Sequence, residues 1–316
     1  MLYWFSKQLI VSWFKGCGIL ELTKIKGNTY YINAPTNIGV YVFKNKNCIL
    51  IDTGINNSAA KKIDEVLIEN GLHPKYIVNT HSHLDHCGGN IYFQNNYPGC
   101  LIYTSYMEKL FMENVELYPS MLCGSIPLKG LDRINKPFNV DFILEYGINK
   151  INDEKFHVIS LKGHTEEQIG FITQEKVCFL GDSIFSSEII DKYSLPYLYN
   201  IEDSIETLKS IKNIDADFFV LGHSDNIITK DEINSLVDKN LNNIENYINQ
   251  ILELLDQPLT KEDVLQNLVI LNDLSMNFTE YHINLSAVSA FISYVYNKNL
   301  INSSIEDGKL YFFKKQ

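Results

Sequence analysis

The chain is short of positive charge. Its 316 residues hold a single arginine, Arg133, and lysine plus arginine total 27 against 38 acids, for a net charge of −11. One guanidinium leaves few bidentate forks for phosphate, and the overall field repels nucleic acid and anionic membranes. The 6 cysteines (17, 48, 87, 100, 123 and 178) never form a CxxC pair. In a chain of this size that spacing points to free thiols in a reducing, cytoplasmic compartment rather than to a disulfide framework. No apolar run approaches the roughly 20 residues that span a bilayer. Histidine is scarce too, yet three of the 8 fall within six residues, at His81, His83 and His86.

What is present is the composition of a globular protein with a substantial core, 45% hydrophobic and 21% charged. This length implies one large domain or a large domain with a small one. The opening "MLYWFSKQLIVSWFKGCG" carries both tryptophans, and Lys7 and Lys15 interrupt its apolar run. No small-x-small cleavage site follows, so residues 1–19 read as a leader or N-terminal extension rather than a signal peptide. Leu20 is a candidate natural start, because the strand pattern begins abruptly there.

From residue 20 the pattern is regular. "LTKIKGNTYYIN" predicts a hairpin around Gly27-Asn28, and "GVYVFK" and "CILIDTG" predict two further strands. "SAAKKIDEVLIENG" predicts a helix capped by Ser58 and ended by Gly71. Strand "YIVNT" then runs directly into "HSHLDHCGG", which places the histidines on a strand-to-helix loop, where α/β proteins keep their chemistry. Beyond it come "LIYTS", a helix over about 105–117, "KFHVISLKGHT", "IGFIT", "KVCFLGDS", helix "SIETLKSIKNI" and "DFFVLGHSD". Tyr118 to Phe138, rich in Pro and Gly and without a period, predicts a long lid or binding loop. From about Lys230 two long helical stretches, a third helix and a hairpin at Asp307-Gly308 predict a small helical domain with a β wing over 229–316.

Metal ligation requires imidazole nitrogens and carboxylate oxygens converging at about 2.0–2.2 Å from an ion such as zinc. His81 and His83 alternate along an extended segment and can serve one ion, while Asp85 and His86 stand just beyond and can serve a second. Three more donors each follow a glycine at the end of an apolar strand: His164, Asp182 and His223. Together the seven make two sets of three with one carboxylate left to bridge. His73, His157 and His282 have no such companions, and Cys87 reads as a small buried thiol.

"THSHLDHCGG", "GHT", "GDSIF" and "GHSD", in this order behind "LIDTG", resemble the metallo-β-lactamase superfamily over about residues 20–228. The resemblance implies an αββα sandwich of two mixed β-sheets flanked by helices. It implies that His81, His83 and His164 hold a first metal, that Asp85, His86 and His223 hold a second, that Asp182 bridges, and that Asp52 supports from behind. The C-terminal pattern is similar to the winged-helix-like domain appended to one branch, which includes β-lactamase-like endoribonucleases. "GDSIF" is similar to glyoxalase II, although the C-terminal basic residues that hold glutathione in that family have no evident counterpart. Phe185 stands where acyl-homoserine lactonases carry tyrosine, and His83 where flavodiiron proteins carry glutamate.

The expected activity is therefore that of a dinuclear metal-dependent hydrolase, using a metal-bridging hydroxide on a small ester, thioester or lactone. Asp85 and Asp182 are its expected catalytic carboxylates. Two zinc ions per chain are the expected cofactor, with iron or manganese as alternatives. Tyr193 and Tyr197, on the segment after Asp182, are candidate pocket donors to a developing oxyanion. A phosphodiester-cleaving nuclease and a winged-helix regulator with a metal-binding sensor domain are the alternatives. Charge disfavours both, because residues 229–316 carry seven lysines and twelve acids. The apolar helix faces of that region, with Leu252, Leu255, Leu265, Leu268, Val288, Phe291 and Val295 at helical spacing, are expected to pack inward, against the metal domain or against a second chain as a homodimer.

Overall fold

The computed structural model describes residues 20–131, 137–193 and 195–315. The expected leader, both tryptophans and Arg133 lie outside them.

A seven-stranded sheet runs in chain order through β1 (Leu22–Lys26), β2 (Thr29–Ile32), β3 (Ile38–Val42), β4 (Asn47–Ile51), β5 (His73–Val78), β6 (Leu101–Thr104) and β7 (Phe142–Ile143). Pairing is antiparallel from β1 to β4 and parallel from β4 to β7. The second sheet holds β8 (Gly147–Ile151), β9 (Glu154–Ser160), β10 (Ile169–Ile172), β11 (Val177–Gly181), β12 (Phe218–Leu221) and β13 (Ile228–Thr229), with β11 and β12 parallel and the rest antiparallel. A separate hairpin pairs β14 (Ile301–Glu306) with β15 (Lys309–Lys314).

The helices are α1 (Asn57–Glu69), α2 (Leu84–Cys87), α3 (Asn90–Asn96), α4 (Tyr106–Glu113), α5 (Leu117–Cys123), α6 (Ser187–Tyr193), α7 (Ile201–Ile211), α8 (Lys230–Leu254), α9 (Lys261–Leu271) and α10 (Phe278–Asn297).

Strand parity sorts the side chains into layers. In β4, Cys48 and Leu50 join a cluster with Ile63 and Leu67 of α1, whereas Ile49 and Ile51 join Phe156, Phe171 and Phe179 of the other sheet. In β11, Val177 and Phe179 face that same inter-sheet core, while Cys178 and Leu180 face α7 and the C-terminal helices. The result is helix, sheet, sheet, helix, as expected for an αββα sandwich. Strands buried on both faces read as the near-continuous apolar runs seen in the sequence.

The C-terminal helices are continuous with this architecture. Leu255, Leu265, Leu268, Val288, Phe291 and Val295 are buried in one cluster with Leu180, Leu208 and Phe219 of the second sheet and its helix, and Leu252 packs on its edge. Thr229 and Thr260 cap α8 and α9 with reciprocal side-chain bonds to Glu232 and Asp263. Among the described residues no helix is long and apolar enough to cross a membrane.

Several local expectations need correction. Asn56, not Ser58, caps α1, because Asn56 is extended and its Oδ1 accepts from Ala59 N at 3.0 Å. The expected loop from Tyr118 opens instead with α5: Pro119 occupies the first turn, where its missing N–H costs no hydrogen bond, and Tyr118, Leu122 and Cys123 pack on the C-terminal cluster. The half-exposed β8 and the serine-led α6 have no counterpart in the sequence reading.

Candidate metal centre

The parallel pairs β4/β5 and β11/β12 end at the same rim of the sandwich, where the two sheets are tied by Ile169 N to Thr80 O (3.0 Å) and Asn37 N to Gly222 O (2.8 Å). Every expected ligand lies on a loop leaving this rim. After β5 the chain carries His81 and His83, and the single turn α2 then turns Asp85 and His86 inward. Gly88 lets that turn dock, since a Cβ there would sit 2.0 Å from the Ile55 carbonyl oxygen. Gly222 has a sharper requirement: a Cβ would fall 2.1 Å from Asp182 Oδ1 and 2.8 Å from His86 Cε1.

The seven donors are buried or nearly so and fall into two groups, His81, His83 and His164, and then Asp85, His86, Asp182 and His223, with ligand atoms in each within 4.8 Å of one another. His83 Nδ1 lies 3.1 Å from His81 Nε2 and 3.0 Å from His164 Nε2. In the second group His223 Nε2 lies 3.2 Å from Asp85 Oδ2, and Asp182 is 3.4 Å from both His86 Nε2 and His223 Nε2. Asp182 Oδ2 also reaches His164 Nε2 at 3.7 Å, so this carboxylate stands between the groups.

The donor set fits divalent cations. Among the described residues, Asp85 Oδ1, His86 Nε2 and Asp182 Oδ1 are buried and have no hydrogen-bond partner, a condition that buried polar atoms rarely tolerate and that a bound cation removes. Each histidine is also held by its other nitrogen, the arrangement that fixes tautomer and ring direction in metal sites. His81 Nδ1 is 3.0 Å from Thr80 Oγ1, His83 Nε2 3.0 Å from Tyr118 Oη, His86 Nδ1 2.7 Å from Asp52 Oδ2, His164 Nδ1 3.0 Å from the Tyr197 carbonyl and His223 Nδ1 2.6 Å from the Pro35 carbonyl.

Charge follows this geometry. Burial, reinforced by neighbouring imidazoles, holds His81 and His83 well below the ordinary histidine value, in the neutral form that ligation needs. Burial also opposes charge on His86 and His223, yet Asp182 with Asp52 keeps His86 well above its ordinary value, and Asp182 with Asp85 pushes His223 up to about 10. Asp182 is itself held well below the carboxylate range by His223 and His86 despite its burial.

Asp52, at φ +64, stands behind the second group and accepts from Thr80 N (2.8 Å), Thr80 Oγ1 (2.9 Å) and His86. Tyr197 is brought to the site and lines a cavity of about 220 Å³ with Tyr118, Phe111, Met107, Met121 and His164. Tyr193 ends α6 and is not among the residues lining that cavity. Cys87 is buried beside the site, its thiol on the Ser82 carbonyl at 3.3 Å and its pKa pushed well up by burial.

Two supporting residues escape sequence reading. Glu108 of α4 is fully buried and accepts from Ser82 N (2.8 Å), Thr165 Oγ1 (2.5 Å) and Glu167 N (3.2 Å), clamping together the loops of His83 and His164. Tyr118 touches His83 as described. Nothing in their local sequence signals either contact, because each depends on elements distant along the chain.

The model of the metallo-beta-lactamase superfamily matches residues 32–223, and the chain belongs to that superfamily. It is 30% identical over 208 residues to a hydroxyacylglutathione hydrolase of Buchnera aphidicola, covering 65% of this chain and 69% of that protein. With the hydroxyacylglutathione hydrolase GloC of Haemophilus influenzae it shares 32% identity over 152 residues, covering 46% and 64% of the two chains. These relatives and the family identify a hydrolase. A metallo-beta-lactamase family protein from Thermus thermophilus shares the fold over 94% of this chain and 98% of its own, at a TM-score of 0.68 and 17% identity. A beta-lactamase domain protein from Burkholderia ambifaria shares it over 93% of each, at 0.72 and 13%.

Proposed function

We propose that this chain is a dinuclear metal-dependent hydrolase of small thioesters, with simple esters and lactones as secondary substrates. The observation that carries this reading is the pair of donor groups joined at Asp182 beside an aromatic cavity. The names of the relatives, hydroxyacylglutathione hydrolases, support thioester chemistry. His81, His83 and His164 would hold one ion, Asp85, His86 and His223 the other, with Asp182 shared. Bound there, divalent ions supply Lewis acidity toward the acyl oxygen and an activated water at neutral pH. Zinc suits the imidazole and carboxylate donors best.

The protein's own groups do the rest. Tyr197 lines the cavity and can donate to the acyl oxygen as it gains charge. Asp52, Thr80, Pro35 and Tyr197 hold ligand imidazoles in one tautomer, so little reorganisation accompanies reaction. Among the described residues Glu166 is the cavity's only carboxylate, and no lysine or arginine lines it. That lining favours an apolar, uncharged acyl group and offers no counter-charge to the carboxylates of a glutathione leaving group. Among the described residues it also offers no side-chain cation to grip the backbone of a nucleic acid.

The test is turnover by purified, zinc-loaded protein of S-lactoylglutathione, an S-acyl-N-acetylcysteamine, a small lactone and bis(p-nitrophenyl) phosphate. Thioester cleavage that disappears with chelator supports the reading. Turnover confined to the phosphodiester overturns it and moves the nuclease alternative first.

A further inference from the structure

We propose that Tyr118 is a positioning residue that joins the first metal group to the substrate cavity through a one-way hydrogen-bond chain from His83 to Tyr118 to Tyr197. This inference rests on reading His81, His83 and His164 as a metal group. The two nitrogens of His83 face different partners. Its Nδ1 faces the point where His81 Nε2 (3.1 Å) and His164 Nε2 (3.0 Å) converge, so its lone pair is the one offered to an ion. A neutral imidazole carries a single proton, which must then sit on Nε2, and Nε2 lies 3.0 Å from Tyr118 Oη. Tyr118 therefore accepts from His83.

The direction propagates from there. The hydrogen of Tyr118 goes to Tyr197 Oη at 2.5 Å. Tyr197, accepting from Tyr118, keeps its own hydrogen to donate, and the cavity that both tyrosines line is adjacent. The chain thus ends in a hydroxyl donor presented to whatever occupies the cavity. Its orientation is set, through Tyr118, by a ligand imidazole.

Tyr197 acts on the same group a second time, because its carbonyl accepts from His164 Nδ1 at 3.0 Å and leaves Nε2 for ligation. Two of the three nitrogens in the first group are therefore oriented by the Tyr118–Tyr197 pair. The second group depends on different anchors: His86 is held by Asp52 at 2.7 Å and His223 by the Pro35 carbonyl at 2.6 Å. Losing the Tyr118 hydroxyl should accordingly loosen one ion and spare the other. A residue that merely filled space beneath the cavity would not discriminate between them.

The test uses the full chain and zinc as the probe. Zinc affinities of wild type and Tyr118→Phe are measured by competition with a chromophoric chelator. One of two ions should weaken about 10- to 100-fold, as is usual when the partner of a ligating histidine is removed, with the other within about twofold. In Tyr197→Phe, which keeps the His83–Tyr118 contact and the backbone carbonyl, both affinities should stay within about fivefold of wild type. Equal weakening of both ions by Tyr118→Phe, or none, overturns the inference while leaving a dinuclear site standing; failure of the wild type to bind zinc overturns the metal reading as well. A measurement on wild type alone covers a variant that does not fold. In zinc-loaded protein with 15N-labelled histidine, His83 should show a protonated, slowly exchanging Nε2 and a metal-shifted Nδ1, and the opposite assignment refutes the chain.

Discussion

Replacing Asp52 with asparagine should separate metal binding from folding. The carboxylate is buried and accepts three hydrogen bonds, Oδ1 from Thr80 N and Oδ2 from both Thr80 Oγ1 and His86 Nδ1. An amide of the same shape has one acceptor oxygen and one donor nitrogen. Placed at Oδ1 the nitrogen opposes a backbone N–H that cannot turn away. Placed at Oδ2 it opposes a hydroxyl, which can rotate, and an imidazole, which can move its proton to Nε2. The second placement costs less, but His86 Nε2 is the nitrogen that faces Asp85 and Asp182 in the donor group and would have to ligate. Loss of charge-assisted bonds should lower stability by about 1–3 kcal/mol. The wrong tautomer should weaken one ion about 10- to 100-fold, equivalent to about 1.4–2.8 kcal/mol. Backbone strain is unchanged, since asparagine tolerates the φ of +64 as well as aspartate does. Chelator competition reads the metal term, and urea denaturation of metal-free protein reads the stability term. Wild-type affinity for both ions in Asp52→Asn refutes the reasoning.

Gly222→Ala should remove metal from both groups, because the new methyl would lie 2.1 Å from Asp182 Oδ1; metal analysis of the folded variant, verified by circular dichroism, checks this. Asp182→Ala should abolish binding of at least one ion and nearly all turnover, whereas Cys87→Ala should keep both ions, as metal content and thioester assays will report. Glu108→Gln should cost about 1–3 kcal/mol in urea denaturation, since an amide cannot accept all three bonds that join the two ligand loops. Residues 229–316 carry twelve acids against seven lysines; the intact protein should show no submicromolar, salt-sensitive affinity for duplex DNA or structured RNA in a low-salt titration.

The two donor groups were legible because their signals are local. His81, His83, Asp85 and His86 share one loop; Asp182 and His223 each follow a glycine at the end of a buried strand, and His164 follows a glycine shortly after the half-buried β9. The sandwich was legible for the same kind of reason, since strands covered on both faces stand out as apolar runs. What escaped is tertiary. Glu108 sits in an ordinary helical stretch, and only the fold brings Ser82, Thr165 and Glu167 to it. Tyr118 was hidden by Pro119, which reads as a helix breaker but occupies a first turn where proline is tolerated. β8 was missed because an exposed edge strand carries lysine and asparagine in place of a clear alternation.

The central claim, two ions sharing Asp182, is tested most directly by anomalous diffraction at the zinc edge from crystals of the zinc-loaded full chain. Two peaks per chain should appear, one among His81, His83 and His164 and one among Asp85, His86 and His223, with the Asp182 carboxylate between them. A single peak, or peaks away from these side chains, contradicts the account.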